Sequence, residues 1–174
     1  FPARKAYRLD LHDAGHRVAN ALRDAGVIGR FAVDFVTVRE QGTWRHHAIE
    51  INLRKGGTTF PYLMLEFLTN GSYDPDTGVF RTPTGDARSY YATDNLVRDA
   101  YRKLSPTELI DMAVFNGFLY DAPSQQGLVL HLMGAAPDHG KIGLVSIAED
   151  RRQALQRYRS ATAALTRHAE ELRE

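Results

Sequence analysis

In RFAVDFVTVR (residues 30–39) and HAIEINLR (residues 47–54), apolar and polar side chains alternate, which predicts two β-strands. The residues between them form a turn centred on Gly42, so an antiparallel hairpin is expected. In that register Asp34 lies directly opposite Glu50, with their side chains on one face and their Cβ atoms about 4.5–5.5 Å apart. Asn52 and then Arg54 follow Glu50 on that face at successive pleats.

This pairing supports two interpretations. Two opposed carboxylates repel, and a hard divalent cation such as Mg²⁺ relieves the repulsion by binding both. Alternatively, Asp34 and Glu50 face water on an ordinary amphipathic hairpin, and a register slip of one residue would send them to opposite faces. The alternation alone leaves both interpretations open.

The rest of the sequence predicts further helices, strands and turns. Apolar spacing and the stop at Gly26 indicate that helix over residues 10–25, and Ser105-Pro106-Thr107-Glu108 is a capping box that opens another helix, which ends near residue 116. The remaining predictions are a short helix over 61–69, turns with strands at 78–81 and 88–92, a hairpin of 127–134 with 141–148, and a final helix over 150–172. We expect domains at 1–99 and 100–174.

Composition restricts the class of protein. Hydrophobic residues make up 43% and charged residues 25% of the 174, as in a folded domain. The lack of cysteine excludes disulfides and thiolate nucleophiles, and it favours a cytoplasmic location. No apolar run approaches the roughly 20 residues of a membrane helix, so we expect no membrane association. Because the chain begins with Phe1 rather than Met, we expect it to be part of a longer protein.

Charge is unevenly distributed along the chain. The overall net charge is +1, yet residues 1–55 contain ten Lys or Arg against six Asp or Glu. A mildly basic first third suits small phosphates, whereas a nucleic acid would require a denser basic stripe. We therefore expect no nucleic-acid partner.

Two segments, GRFAVDF (residues 29–35) and AIEINLRKGGTT (residues 48–59), resemble the C-terminal, metal-binding part of ATP-grasp ligases, and more narrowly the pheganomycin-type peptide ligase group. The resemblance implies that Asp34, Glu50 and Asn52 bind Mg²⁺ or Mn²⁺ on the phosphates of ATP, the co-substrate. It implies that Arg54 is catalytic and approaches the acyl phosphate or carboxylate. The implied phosphate or substrate loop comprises Lys55, Gly56, Gly57, Thr58 and Thr59.

The resemblance also implies a fold and a reaction. The fold is α+β: the C-terminal lobe of an ATP-grasp fold, with antiparallel strands and flanking helices, followed by a small α-β-β-α unit. The reaction is the formation of a C–N bond, in which ATP phosphorylates a carboxylate and an amine attacks the acyl phosphate. The implied substrates are a small-molecule carboxylate and an amine, either amino acid or peptide.

In these ligases the adenine-binding residues precede the matched segment. The resemblance therefore implies N-terminal ATP-grasp lobes of a parent protein as partners and an inactive isolated chain, while a homo-oligomer stays open. The group often has His after Thr-Thr, where this chain has Phe60, so no role of that histidine transfers. The rival hypothesis is a non-catalytic ATP-grasp-like scaffold for interaction or regulation, against which the intact Asp34, Glu50, Asn52 and Arg54 speak.

Three further sets of residues have structural explanations. His12 and His16 have a zinc-compatible spacing but lack the glutamate of a zinc-protease motif, so we expect solvent-exposed histidines. Asp74, Asp76 and Gly78 resemble a calcium loop only faintly and are interpreted as a turn. We interpret His131, between two leucines in a predicted strand, as a structural histidine.

Overall fold

The computed structural model describes residues 5–172 and confirms the predicted α+β class, with antiparallel sheets and flanking helices. The chain forms two compact units. One runs up to Tyr62 and includes Tyr73–Val79, and the other comprises Leu63–Ser72 and the residues from Phe80 onward. This division concerns contacts, and domains at 1–99 and 100–174 stay a prediction.

The first unit is built on a helix and a hairpin. Helix α1 spans Lys5–Asp24, strand β1 spans Ala32–Glu40 and strand β2 spans Thr43–Asn52. The apolar stripe of α1 faces a groove lined by Val18 and Leu22 from the helix and by Phe35 and Ile51 from the hairpin. The helix begins at Lys5, five residues before the predicted start at residue 10.

The hairpin turn is tighter than predicted. Glu40 pairs with Thr43, so Gln41 and Gly42 alone connect the strands, with φ of 49° and 86°. Positive φ at both central residues is the conformation of a type I′ turn, whose twist matches that of the strands. The prediction of a turn centred on Gly42 is wrong by half a residue, because the centre lies between Gln41 and Gly42. The strand pairing next to the turn is therefore shifted by one residue from the predicted pairing.

The remaining elements are helices and strands that follow one another in mixed order. They are helix α2 at Thr59–Thr69, strands β3 at Ser72–Asp74, β4 at Val79–Arg81 and β5 at Ala87–Val97, helix α3 at Pro106–Phe115, strand β6 at Gly127–His131, the short helix α4 at Ala136–His139, strand β7 at Lys141–Ala148 and helix α5 at Arg151–Glu171. Short 3-10 helices occupy Asp99–Lys103 and Met133–Ala135. The second sheet has the order β3-β4-β5-β7-β6.

Local sequence signals explain several of these boundaries. The capping box is present: Ser105 Oγ accepts from the backbone N–H of Glu108 at 3.2 Å, and the Ser105 N–H donates to Glu108 Oε2 at 2.7 Å. The predicted antiparallel pairing is confirmed for residues 127–131 with residues 143–147, whereas residues 132–134, predicted to continue the strand, lie outside the sheet. Short helical turns, and not a simple loop, connect these two strands.

The core of the second unit is formed where α5 packs on the sheet. Strand β7 contributes Ile142 and Leu144, fully buried, and the 3-10 helix before α3 contributes Tyr101. Alanines occupy most of the buried face of α5: Ala154, Ala161, Ala164 and Ala169, with Leu165. Small side chains allow a close approach of helix and sheet.

Candidate active site

The metal-binding residues implied by the resemblance meet on one face of the β1–β2 hairpin. Asp34 pairs with Glu50, and Ala32 pairs with Asn52 in the next row. The Asn52 Nδ2 donates a hydrogen bond to Asp34 Oδ2 at 3.3 Å, diagonally across the ladder. The predicted juxtaposition of Asp34 and Glu50 is therefore confirmed as geometry, while their role in metal binding stays a prediction.

A β-bulge is responsible for this juxtaposition. Phe35 pairs with Ala48, whereas Asp34 pairs with Glu50, so Ile49 is the extra residue on β2. Without that extra residue the tight turn would place Asp34 opposite Ile49, and Glu50 would point to the other face. The bulge cannot be predicted from the alternation of the sequence. Ile49 follows another apolar residue, Ala48, so no polar residue at an apolar position marks the insertion.

The bulge also changes which side chains surround the carboxylates. Strict alternation places Ala48 on the face of Glu50, but Ala48 pairs with Phe35 and lines the groove against α1. Strict alternation likewise places His47 on the opposite face, yet His47 pairs with Val36, which shares the face of Asp34. The imidazole of His47 is thus a neighbour of the site that sequence reasoning missed.

Arg54 lies outside the strand. Strand β2 ends at Asn52, and Arg54 stands in a bend where its Nη1 donates to the Lys55 carbonyl at 3.3 Å. The prediction that β-alternation continues to Arg54 is wrong, since the ladder ends where β1 begins at Ala32 and offers no further partner. The loop after the strand, and not the pleat, therefore determines where the guanidinium points.

The Gly-Gly-Thr-Thr loop closes onto the start of α2. The Gly56 N–H donates to Thr59 Oγ1 at 3.0 Å, and the Thr59 N–H donates to the Gly56 carbonyl at 3.0 Å. Helix α2 begins at Thr59, two residues before the predicted residue 61, and the two contacts tie the loop to the first residue of the helix. The backbone N–H groups of that turn are of the kind that bind phosphate and carboxylate oxygens.

The donor set fits a hard cation. Asp34 and Glu50 are exposed carboxylates that make no ion pair with a basic side chain within residues 5–172. Two carboxylates and an amide oxygen leave coordination positions for water and phosphate, as Mg²⁺ prefers. Among the described residues, no group of three or more His, Cys, Asp or Glu could hold a metal ion, so Asn52 is essential to the proposed set.

The histidine and calcium-loop alternatives have structural explanations. His12 is half-buried and not solvent-exposed as predicted: its Nε2 lies 2.7 Å from the Tyr73 hydroxyl and its Nδ1 3.2 Å from the Pro75 carbonyl. The turn at residues 74–78 is confirmed, since Asp74 Oδ1 accepts from the N–H groups of Asp76 and Thr77 at 2.9 and 3.3 Å. Those contacts hold the loop without calcium.

His131 is a structural residue of the second sheet, as predicted. It pairs with Gly143, and its ring occupies the space that a Cβ at residue 143 would fill. Burial lowers the pKa of His131, which the nearby Asp94 carboxylate and a hydrogen bond with the Thr93 backbone oppose in part. The ring thus fills the gap over the glycine.

Comparison with known proteins identifies two matches to this sequence. The family described as the PGM1 C-terminal domain matches residues 108–161, which span α3 to the first half of α5. The L-propargylglycine–L-glutamate ligase of Streptantibioticus cattleyicolor is 33% identical over 168 residues, or 95% of this chain. Both matches agree with the resemblance of this sequence to the ATP-grasp ligases. No solved structure matches it significantly.

The similarity to this ligase extends over nearly the whole chain but only part of the relative. The chain spans 34% of the length of the Streptantibioticus cattleyicolor ligase. Within residues 5–172, no helix combines the length and apolar character needed to cross a membrane.

Proposed function

We propose that this chain is the C-terminal part of an ATP-dependent carboxylate–amine ligase that forms a peptide bond through an acyl phosphate. The observation that carries the proposal is the bulged hairpin, which brings Asp34, Glu50 and Asn52 together on one exposed face. The 33% identity to a protein named as an amino-acid ligase supports the same reaction class. The proposed substrates are an amino acid or peptide carboxylate and a second amine, in a cytoplasmic setting.

Asp34, Glu50 and Asn52 have a common role in this proposal. Their oxygen atoms would hold Mg²⁺ or Mn²⁺, which supplies positive charge to the ATP phosphates during transfer of the γ-phosphoryl group. The Asn52 Nδ2 hydrogen bond to Asp34 orients that carboxylate and leaves the Asn52 carbonyl oxygen free to accept. The hairpin thereby fixes the ligands before substrate binds, which reduces the cost of reorganisation.

Arg54 and the loop after β2 have a different role. The planar guanidinium of Arg54 binds two oxygens at once, which suits a carboxylate or an acyl phosphate. Lys55, Gly56, Gly57, Thr58 and Thr59 form the proposed phosphate or substrate loop, whose backbone donors approach anionic oxygens at the start of α2. The protein's contribution is thus electrostatic stabilisation of charge that develops on oxygen.

The test uses Glu50→Gln in the complete ligase. We expect metal-dependent ADP release to be abolished with the fold intact, because the amide cannot replace the second carboxylate on the cation. Glu40→Gln is the matched control: Glu40 is an exposed acid of the same hairpin that pairs with Arg45 at 2.9 Å, next to the turn. Normal turnover in Glu50→Gln would end the metal assignment.

A second readout separates binding from turnover. Mn²⁺ should broaden the amide NMR signals of residues 34 and 50–52 in the wild type and in Glu40→Gln, but not in Glu50→Gln. A wild-type protein that shows neither broadening nor ADP release would support the scaffold hypothesis instead.

A further inference from the structure

His47 lies beside the proposed cation site and has no part in the mechanism described so far. It pairs with Val36, which lies two residues from Asp34 on β1. Side chains two residues apart on a strand share a face, so His47 lies on the face of Asp34 and Glu50. In a regular ladder, the Cβ atoms of diagonal neighbours such as His47 and Asp34 are about 7–8 Å apart, which an aromatic ring can span.

The imidazole ring of His47 is exposed and has no partner of its own. Within residues 5–172 it makes no hydrogen bond, ion pair or ring contact. It is also not a third ligand for the cation, since no group of three or more His, Cys, Asp or Glu among the described residues could hold a metal ion. The ring is therefore free to contact a substrate that lies next to the cation.

The side chains next to His47 on this face of β1 and β2 are unsuited to proton transfer. Val38 is apolar, and its strand partner Arg45 pairs with Glu40 at 2.9 Å. The two carboxylates of the site bind the cation in the proposed function. Histidine is the side chain that most often accepts a proton near neutral pH.

A recess along the outer edge of β2 leads to His47. It has a volume of about 380 Å³ and is lined by residues 44–47 of β2 and by Asp10, Asp13 and Arg17 of α1. Successive strand residues point to opposite faces, so a recess lined by four in a row follows the strand edge. The α1 wall has two carboxylates and one guanidinium, and none of the three makes an ion pair within the part of the chain that the structure describes. This acidic wall attracts an ammonium group, so the recess suits the approach of an amine.

We propose that His47 transfers the proton that the amine substrate loses in the second step of the ligase reaction, an inference that rests on the proposed function. The nitrogen lone pair forms the C–N bond to the carbonyl carbon of the acyl phosphate. The C–O bond to the phosphate breaks, and the phosphate leaves with that electron pair. The proton released by the nitrogen passes to the neutral imidazole and from there to the departing phosphate, so the ring is neutral again at the end.

The test compares two nucleophiles in His47→Ala of the complete ligase. Amide formation from an amino acid should fall by about 100-fold or more, the contribution typical of a positioned proton acceptor. Hydroxamate formation from hydroxylamine should stay nearly unchanged, because this stronger nucleophile attacks an acyl phosphate without a base. Added imidazole should restore part of the amide formation, since the face is exposed. His16→Ala is the matched control: His16 is an exposed histidine of α1 that does not line the recess.

The outcomes distinguish this inference from the proposed function. Equal losses with both nucleophiles, or amide formation as fast as in the wild type, would overturn the role of His47 and leave the ligase activity standing. A wild type that releases no metal-dependent ADP with either nucleophile would overturn the proposed function and this inference with it. The Mn²⁺ broadening at residues 34 and 50–52 should persist in His47→Ala, and its loss would assign the residue to the metal site instead.

Discussion

Glu50 on β2 and Arg54 in the loop after it are held in place by different local structures. Glu50 stands opposite Asp34 only because Ile49 is an additional residue in the strand. Arg54, four residues later, is held by a contact with the Lys55 carbonyl and not by a ladder. The two residues therefore depend on different local structures, although they are only four positions apart.

The Arg54 role leads to a comparison with its neighbour. Arg54→Lys should lower kcat/KM, because an ammonium cannot bind two oxygens in a plane. The expected decrease corresponds to a loss of roughly 2–4 kcal/mol of transition-state stabilisation, which is typical of one oriented charge-stabilising donor. Lys55→Ala should cost much less, since the resemblance implies only a loop position for Lys55. Steady-state ADP release by the complete ligase measures both effects.

The opposite result has a clear meaning. Equal losses for Arg54→Lys and Lys55→Ala would show that the loop as a whole, and not the guanidinium, acts on the substrate. A substrate KM that rises in Arg54→Lys with kcat unchanged would instead assign the residue to binding alone.

Individual elements show how local chemistry sets boundaries. Strand β6 begins at Gly127, whose φ of 132° lies in a region that favours glycine. A Cβ there would overlap backbone atoms of Leu119 and Tyr120. Backbone cannot move aside as a flexible side chain can, so the start of this strand requires glycine.

Substitution at this position tests the requirement. Gly127→Ala should lower the free energy of unfolding by about 3 kcal/mol, because backbone strain and steric overlap add. Gly134→Ala is the control, since no atom lies within 4 Å of a Cβ at residue 134 and its φ is not positive. Urea denaturation that shows equal stability for the two variants would contradict the close approach.

The N-terminal cap of α3 predicts a pH dependence. Hydrogen bonds from the backbone and then the side chain of Ser105 hold the pKa of Glu108 below its ordinary value. A lowered pKa in the folded state stabilises the protein above the unfolded-state pKa, and this contribution is lost as pH falls through the folded pKa. The charged form of Glu108 is therefore the form that supports the helix.

Glu108→Gln should remove this contribution. The variant should be less stable than the wild type at neutral pH, and the difference should shrink as pH falls through the acidic range in which Glu108 becomes protonated. Urea denaturation at a series of pH values measures it, and Glu170→Gln, an exposed acid on α5, is the control. A difference that grows toward low pH would contradict the cap.

At the scale of the whole molecule, the length of the relative matters most. This chain spans 34% of the Streptantibioticus cattleyicolor ligase, and the resemblance places adenine-binding residues before the segment that it matches. In the proposed mechanism, Asp34, Glu50 and Asn52 bind the cation and do not contact the phosphates directly. Most of the nucleotide affinity is therefore expected to come from other parts of a complete ligase.

The isolated chain should consequently bind ATP weakly. With Mg²⁺ present we expect a Kd above about 1 mM by titration calorimetry, because the metal site alone makes few contacts with the nucleotide. A complete ligase provides the positive control. Micromolar binding by the isolated chain would show that the nucleotide site is misplaced.

Local signals in the sequence determined much of this protein. The capping box at Ser105 and the alternation in residues 30–39 each involve neighbours along the chain, so they could be interpreted without a fold. The Glu-x-Asn pattern similarly carried the ATP-grasp resemblance, which the comparisons confirm. Such features are encoded within a few residues.

Tertiary structure decided the rest. The bulge at Ile49, the exit of Arg54 from the ladder and the alanine face of α5 depend on which residues pair or pack across the chain. The alternation of apolar and polar residues in β2 does not show that Ile49 is an extra residue. The helical spacing of apolar residues in α5 does not show how closely the sheet approaches the helix. The sequence therefore predicted a cation site at Asp34, Glu50 and Asn52, and the pairing of β1 with β2, shifted by one bulged residue, is what brings them to one face.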